Sequence, residues 1–442
     1  MDPSPIPPPP LDGYVLDDAE EWEYFGEGAA NVLYRYIGAD PFFGPYLLRL
    51  RKRLPGAPTT QQLHAYLHSR WAPLLGDYLL KTEIVKLGIN IIPDLNSMLA
   101  MSGAEEATDW SGRPIKPPKK RRLLDDTESW GLIVEDMSCG NYLYNEMEMR
   151  PESMQEDEEM DDAQDEGSDE WKDMAMIEFK PKWLAQSPNA PASWVLCRTC
   201  AVRHMQSAKK QTNGSLCVPG EEVDDLEEEV LDFCPLDLSS GDPARIEKAT
   251  FAILNMENSV MIADPAPPSD DEGDSYTPAP PTLNQRLVKC LENSLVTLLT
   301  NFFRTYPIIP LLTALQSRFG SRGVFTSATL ALMGEKDVLP SEDEIRRASL
   351  ATGEKYEPAL SDEDDIWTAM TLRDCSLFLK VWVRKCRGKG MEAKIDAKVG
   401  DLDLKGGEGG RAVYWRDVER RLRMGGWYGG KGSTRNCRTG QE

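Results

Sequence analysis

The chain has 442 residues, room for two or three cores at about 100–200 residues per domain. It carries 50 Lys+Arg against 73 Asp+Glu, a formal net charge of -23, which excludes general attraction to nucleic acid or an anionic membrane unless the charge is unevenly spread. It is uneven, because carboxylates without a base fill 152–170 and dominate 221–229, so the remainder can still present a basic pocket.

Residues 1–20 are proline-rich and acidic and read as a disordered tail, with neither the basic nor the apolar region of a secretory signal. Trp22–Phe25, the turn Gly26-Glu27-Gly28-Ala29-Ala30-Asn31 and Val32–Tyr36 predict strand, turn, strand, and Tyr46–Lys52 predicts a further strand. A helical period runs from Thr59 to Leu87, with Pro73 ending or kinking it. A polar, basic loop spans 103–127 and contains Lys116-Pro117-Pro118-Lys119-Lys120-Arg121-Arg122, which has the composition of a nuclear-import address or of a solvated loop. Trp130–Met137 and Met174–Phe179 predict buried strands on either side of the acidic run. Helices are expected over Asp242–Leu254, Leu283–Tyr306 and Glu363–Lys385, with a proline-rich acidic insertion at 262–282. No stretch reaches the ~18 apolar residues of a membrane span. Nine cysteines, odd in number and irregularly spaced, describe no disulfide framework and favour a reducing compartment.

The small side chains of Gly28, Ala29 and Ala30 let backbone N–H groups approach phosphate oxygens, although a plain hairpin turn has the same composition. Arg49 on the next strand adds the cation that nucleotide kinases place beneath such a loop, unless it faces solvent with Arg51, Lys52 and Arg53. Asp374 and Asp401 supply the two carboxylate roles of phosphoryl transfer, proton acceptor and Mg²⁺ ligand. In Asp401-Leu402-Asp403-Leu404-Lys405 a period of two puts Asp401, Asp403 and Lys405 on one face of a strand. Lys180 and Lys182 alternate in the same way across Pro181, beside Glu178, and would repel each other without an anion between them; exposed lysines on an edge strand are the plainer alternative.

Taken in order, Trp22–Leu33, Glu178-Phe179-Lys180-Pro181-Lys182, Cys234–Asp242, Arg373-Asp374-Cys375-Ser376 and Asp401–Lys405 resemble the successive signatures of the inositol-pentakisphosphate 2-kinase family, and Cys197-Arg198-Thr199-Cys200-Ala201 resembles its fungal members. The resemblance implies an α+β, two-lobed inositol phosphate kinase: an N-terminal nucleotide-binding lobe at 21–137 with an antiparallel sheet plus helices, an acidic linker at 138–173, and a larger, mixed and mainly helical lobe at 174–442 that carries catalysis and the inositol phosphate. It implies transfer of the ATP γ-phosphate to the 2-hydroxyl of inositol 1,3,4,5,6-pentakisphosphate, with ATP and Mg²⁺ as cofactors. Carried over residue by residue, Gly28, Ala29, Ala30, Asn31 and Arg49 meet the triphosphate, Glu135, Asp136 and Met137 form the hinge around adenine, and Glu178 and Lys180 lie on the nucleotide side. Lys182, Arg198, His204, Asn258, Lys405, Arg411 and Tyr414 fall on the substrate side, Asp374 is the base and Asp401 the metal ligand. Asn258 stands where the family has paired asparagines, and His204 follows Arg198 at a longer spacing than the family's histidine.

Plant members of the family carry a Cys/His zinc site. Here Cys197, Cys200, His204 and Cys217 offer ligand types without a second C-x-x-C pair, and buried free thiols are favoured over a structural zinc. The alternatives to an enzyme are an acidic scaffold that binds basic partners and an inactive family relative. A monomer in nucleus or cytoplasm is expected, binding inositol pentakisphosphate and ATP, with no DNA, RNA or membrane partner.

Overall fold

The computed structural model describes residues 11, 13–101, 122–138, 172–213, 233–256, 259–262, 295–321, 323–325, 347, 363–386, 390–403, 410–430 and 433–440. The basic run up to Arg121, both acidic runs, nearly all of the proline-rich insertion, Cys217, Asn258 and Lys405 lie outside those residues. The chain divides into two compact units, each discontinuous: Met1–Glu178 with Val260–Asn284 and Leu377–Leu404, and Phe179–Ser259 with Gln285–Ser376 and Lys405–Glu442. Asp401 therefore belongs to the unit of the N-terminal strands, and Asp374 to the other, where the sequence reading placed both in one C-terminal lobe.

In the first unit a six-stranded sheet has the order β1-β5-β6-β4-β3-β2. Its members are β1 (Val15–Leu16), β2 (Trp22–Glu27), β3 (Asn31–Tyr36), β4 (Tyr46–Arg51), β5 (Thr82–Leu87) and β6 (Trp130–Glu135). The meander β2–β3–β4 follows from alternation: Val32, Tyr34 and Tyr36 point into the core from β3 while Leu33 and Arg35 point away. Leu48 and Leu50 join the same core from β4, which puts Arg49 and Arg51 on the opposite face. Part of the expected tail is structured, since Val15 and Leu16 pair in parallel with Lys86 and Leu87 and Leu16 is buried. Leu16 and Ala19 are buried in the core of this unit, Leu11 packs against it and Tyr14 stacks on Phe42, so a few apolar side chains dock a stretch whose composition alone argued for disorder.

The helical period expected to run to Leu87 stops much earlier. Helix α1 (Thr60–Tyr66) starts in a capping box made by Thr59 and Gln62 and passes through a π turn at Leu67–Trp71 into the short α2 (Ala72–Leu75), with Pro73 in its first turn. Thr82–Leu87 is a strand, paired antiparallel along its length with β6, with Val85 and Leu87 facing the core two residues apart. Helix α3 (Ile91–Met101) packs Ile91, Ile92, Leu95 and Leu99 under the sheet. A second sheet of four strands has the order β10-β9-β7-β8, with β7 at Lys172–Phe179, β8 at Val260–Ile262, β9 at Ser376–Cys386 and β10 at Gly390–Gly400. Here the helix expected over Glu363–Lys385 is corrected: from Ser376 onward Leu377, Leu379 and Val381 are buried at alternate positions, and Phe378, Val381 and Trp382 favour a pleated surface.

The second unit is mainly helical. It contains α4 (Arg198–Asn213), α5 (Pro235–Leu238), α6 (Pro243–Leu254), α7 (Leu295–Thr305), α8 (Ile308–Phe319), α9 (Glu363–Leu372) and α10 (Gly410–Met424). The start of α6 is as the sequence reads, with the Asp242 carboxylate accepting from the N–H groups of Ala244 and Arg245 at 2.9 and 3.2 Å ahead of Pro243. No single helix among the described residues is long and apolar enough to cross a membrane.

Candidate active site

The first unit gathers the residues expected around a nucleotide. In the β2–β3 turn the Gly28 N–H donates to the Asn31 carbonyl at 2.9 Å. A Cβ built on Gly28 meets nothing within 4 Å, so the turn leaves open room there. Lys52, grouped with solvent-facing cations on sequence grounds, is buried instead: its ammonium donates to the Gly28 carbonyl at 2.8 Å and to Glu27 Oε2 at 2.6 Å. That ion pair anchors the glycine turn to β4 from below.

Beyond β4, Arg49 donates to Asp403 Oδ2 at 2.5 Å, and Asn31 Nδ2 donates to the same oxygen at 3.4 Å. Burial opposes the charge on Arg49, but the carboxylates of Asp403 and then Asp401 outweigh it and hold the guanidinium above its usual pKa. Arg49 and Asp401, far apart in sequence, are thus brought into one electrostatic neighbourhood. The expected Asp401–Lys405 strand is not formed, since β10 ends at Gly400 and Asp401 takes a left-handed φ of 54°. Leu402 is still buried, and the kink rather than a strand period sets where the two aspartates sit.

At the expected hinge, Asp136 is buried, with its Oδ1 accepting from the Ser138 N–H at 2.8 Å and its Oδ2 3.9 Å from Arg35 Nε. The Glu135 carboxylate accepts from the Lys81 N–H at 3.4 Å. Met137 packs with Met176, Leu80 and Phe378 in an apolar cluster. Glu178 lies half-buried near the end of β7.

In the second unit Lys180 and Lys182 follow the end of β7, which runs between β9 and β8, so they lie on no edge-strand face. Lys182 adopts φ 55°, a left-handed turn that redirects its side chain. The anion between the two lysines is Asp374: Lys180 Nζ donates to its carbonyl at 2.7 Å and lies 4.0 Å from Oδ1, and Lys182 Nζ donates to Oδ1 at 3.2 Å. Burial lowers the Lys182 pKa; Asp374 opposes that shift, while Lys180 and Arg203 reinforce it. Asp374 can reach these lysines because α9 ends at Leu372 and β9 begins at Ser376, which leaves it in the connecting turn.

A cavity of about 510 Å³ opens here, lined by Lys182, Arg198, Arg203 and Arg373, by the carboxylate of Asp374 and by the indoles of Trp183 and Trp415. The Arg373 and Arg198 guanidiniums lie 3.7 and 4.3 Å from the Trp183 ring centroid, with Trp415 5.2 Å from Trp183. Burial and the neighbouring charge of Arg198 pull the Arg373 pKa down to about 9, with Glu419 opposing. Arg198 Nε donates to Glu419 Oε2 at 2.9 Å, and Glu419 Oε1 accepts from Ser187 Oγ at 3.0 Å and from Tyr428 Oη at 2.5 Å. Gln316 on α8 is fully buried and donates to the carbonyls of Lys182 at 2.7 Å and Leu372 at 3.1 Å, tying both sides of the lysine–aspartate cluster together.

Tyr414 lines the same cavity from α10, which also carries Arg411, whose side chain lies outside the described part. His204 is not among the lining residues; its ring packs edge-on against Trp427 at 5.5 Å. Cys197 and Cys200 do meet two further possible ligands, but these are Cys234 and Cys437, not His204. Arg203, Trp183, Trp415, Gln316 and Glu419 were assigned no role from sequence. Only Trp183, adjoining the lysine motif, carried a local signal; Arg203 and Trp415 line the cavity from α4 and α10, while Gln316 on α8 and Glu419 on α10 act through hydrogen bonds to its neighbours.

The sequence profile described as inositol-pentakisphosphate 2-kinase matches residues 24–421. A Yarrowia lipolytica protein described as inositol-pentakisphosphate 2-kinase is 27% identical over 201 residues, 46% of this chain and 51% of the relative. A Debaryomyces hansenii protein of the same description is 22% identical over 266 residues, 56% of this chain and 66% of the relative. The chain thus spans about half to just under two thirds of the length of these curated relatives. The profile covers most of the 442 residues and takes in the glycine turn, the lysine motif and both aspartate motifs, so the chain belongs to the inositol-pentakisphosphate 2-kinase family.

Proposed function

We propose that the chain transfers the γ-phosphate of ATP to the 2-hydroxyl of inositol 1,3,4,5,6-pentakisphosphate, giving the hexakisphosphate. The observation that carries the reading is the cavity in which four cationic side chains accompany a single lining carboxylate, Asp374. A polyphosphate needs several fixed guanidinium and ammonium donors, and an alcohol acceptor needs one nearby proton acceptor. In this role Lys182, Arg198, Arg203 and Arg373 hold substrate phosphates, Tyr414 borders them, and Asp374 takes the hydroxyl proton. Lys180 fixes the backbone of Asp374 through its carbonyl. Lys405 and Arg411 remain proposed substrate contacts.

For the nucleotide, the Gly28–Asn31 turn and Arg49 face the triphosphate and the apolar cluster around Met137 offers a surface for adenine. The donor set fits Mg²⁺, since Asp401 and Asp403 supply the hard carboxylate oxygens that ion takes. When bound, Mg²⁺ would neutralise charge on the ATP phosphates. Asp401 would hold it, and Asp403 would keep Arg49 oriented.

Purified protein incubated with labelled ATP, Mg²⁺ and a panel of inositol pentakisphosphate isomers is expected to form hexakisphosphate from the isomer with a free 2-hydroxyl and from no other. Absence of product from every isomer, with ATP bound, would favour the inactive relative. Absence of both ATP and inositol phosphate binding would favour the scaffold.

A pH dependence follows from Lys182, whose pKa lies below its ordinary 10.5. A bound polyanion favours the ammonium form and raises that pKa, so between the two values binding takes up a proton. Affinity for inositol pentakisphosphate is therefore expected to fall as pH rises through the free-protein pKa. Calorimetry in alkaline buffers of different ionisation enthalpy should register the proton uptake; a flat profile would remove Lys182 from the phosphate contacts.

A further inference from the structure

The cavity wall holds two guanidiniums in an arrangement that charge alone opposes. Burial and the like charge of Arg198 lower the Arg373 pKa, yet both guanidiniums lie against the Trp183 indole, Arg198 at 4.3 Å and Arg373 at 3.7 Å from its ring centroid. Trp415, its ring 5.2 Å from that of Trp183, has the same two guanidiniums at 5.3 and 5.6 Å. We propose that Trp183, Trp415 and Gly320 are positioning residues, which set Arg373 beside Arg198 so that both guanidiniums bear on one phosphate of the substrate. This role rests on inositol phosphate being the substrate and adds to that reading the residues that aim its phosphate contacts.

The two arginines are held in different ways. Arg198 has a buried counterion, its Nε donating to Glu419 Oε2 at 2.9 Å. Among the described residues Arg373 makes no ion pair; its Nη2 donates to the Gln316 carbonyl at a long 3.4 Å, and its Nε is buried without a hydrogen-bond partner. A guanidinium only 5% exposed and so weakly paired is costly to keep charged unless an anion completes it. Arg373 lines the cavity, so that anion can reach it from there. In the empty site the indoles offset part of the cost, because the ring quadrupole attracts a desolvated cation more strongly than an exposed one.

Gly320 makes the room. It follows the last residue of α8 with a φ of -105°, a negative value that other residues also adopt, so the backbone does not require glycine there. Space does, because a Cβ built on Gly320 would run into the Arg373 guanidinium. Glycine and indole together restrict where that guanidinium can lie.

The pair suits a phosphate monoester, which carries about -1.5 to -2 charge at pH 7 and three acceptor oxygens. One such group relieves the repulsion between the arginines and accepts from both. A neutral hydroxyl of the inositol ring would do neither.

The test is equilibrium binding of inositol pentakisphosphate to the full chain by calorimetry, with steady-state kinetics beside it. Gly320→Ala displaces the end of a flexible side chain, not backbone, so its melting midpoint should match wild type. It is expected to weaken binding and raise KM about tenfold, the loss of one hydrogen bond to a charged group, with kcat and ATP affinity changed by less than about twofold. Trp183→Leu should lose affinity to a similar degree, and Trp183→Phe, which keeps an aromatic face, should retain most of it. In an Arg373→Met background Gly320→Ala should cost no further affinity, since its effect runs through that one side chain. Gly320→Ala with wild-type affinity would overturn the proposal, as would a loss that persists undiminished in the Arg373→Met background, which would make it a packing defect. Where Trp183→Leu fails to fold, Gly320→Ala decides. Wild-type protein that binds no inositol phosphate would instead overturn the substrate reading, an outcome distinct from wild-type binding with variants that bind equally well.

Discussion

Asp374→Asn is expected to lower turnover by about 10²–10⁴-fold, the range attributed to a positioned general base, while leaving nucleotide affinity unchanged. Asp374 belongs to the second unit, and Arg49, Asp401 and Asp403 to the first. The substitution keeps the shape of the side chain and removes the carboxylate charge between Lys180 and Lys182. With that charge gone, the two ammonium groups are more available to phosphate, so inositol pentakisphosphate should bind as tightly as before or more tightly. The measurement is kcat alongside equilibrium affinities for both ligands. A loss of inositol phosphate affinity that tracks the loss of turnover would make Asp374 a structural counterion, not a base.

Glu419→Ala should destabilise the second unit by about 3–5 kcal/mol, the cost of breaking a buried ion pair from one side. Glu419 is 1% exposed and accepts from Arg198, Ser187 and Tyr428, and removing it strands a guanidinium, a hydroxyl and a phenol together. Arg373, already pulled down by burial and by Arg198, would lose the charge that opposes the shift. For a folding unit of this size the midpoint should drop by on the order of 10 °C, readable by calorimetry. Glu419→Gln retains an acceptor for Tyr428 and should fall between the two. A midpoint within about 1 °C of wild type, less than a single kcal/mol of change, would show that water replaces the lost partner and that the network contributes little.

Both expectations rest on residues with very different visibility in the sequence. Asp374 stood out because it sits in a short motif whose order relative to the glycine turn and the lysine motif is itself informative. Glu419 sits among charges on α10 and looks like any solvated acid of a helix, and burial alone distinguishes it. Gln316 is similar, a polar residue within an apolar helix whose value comes from two carbonyls distant in the chain.

Local order governed what could be read early. The strands β2, β3, β4 and β6, the capped start of α6 and the pairing of two lysines with some anion follow from periodicity, turn chemistry and like-charge repulsion, all set within a few residues. The errors share one cause. Thr82–Leu87 and Ser376–Cys386 become strands because partners elsewhere complete their ladders, and Asp401 and Lys182 take left-handed backbones that end a period of two at the position of interest. Neither the partner of a strand nor a reversal of φ is written in local composition. So the amino-acid order determined the family, the motifs and most of the individual elements. Tertiary structure decided that Asp374 is the anion between the lysines, that Lys52 holds the glycine turn, and that Cys234 and Cys437 join Cys197 and Cys200, because those meetings depend on long-range packing.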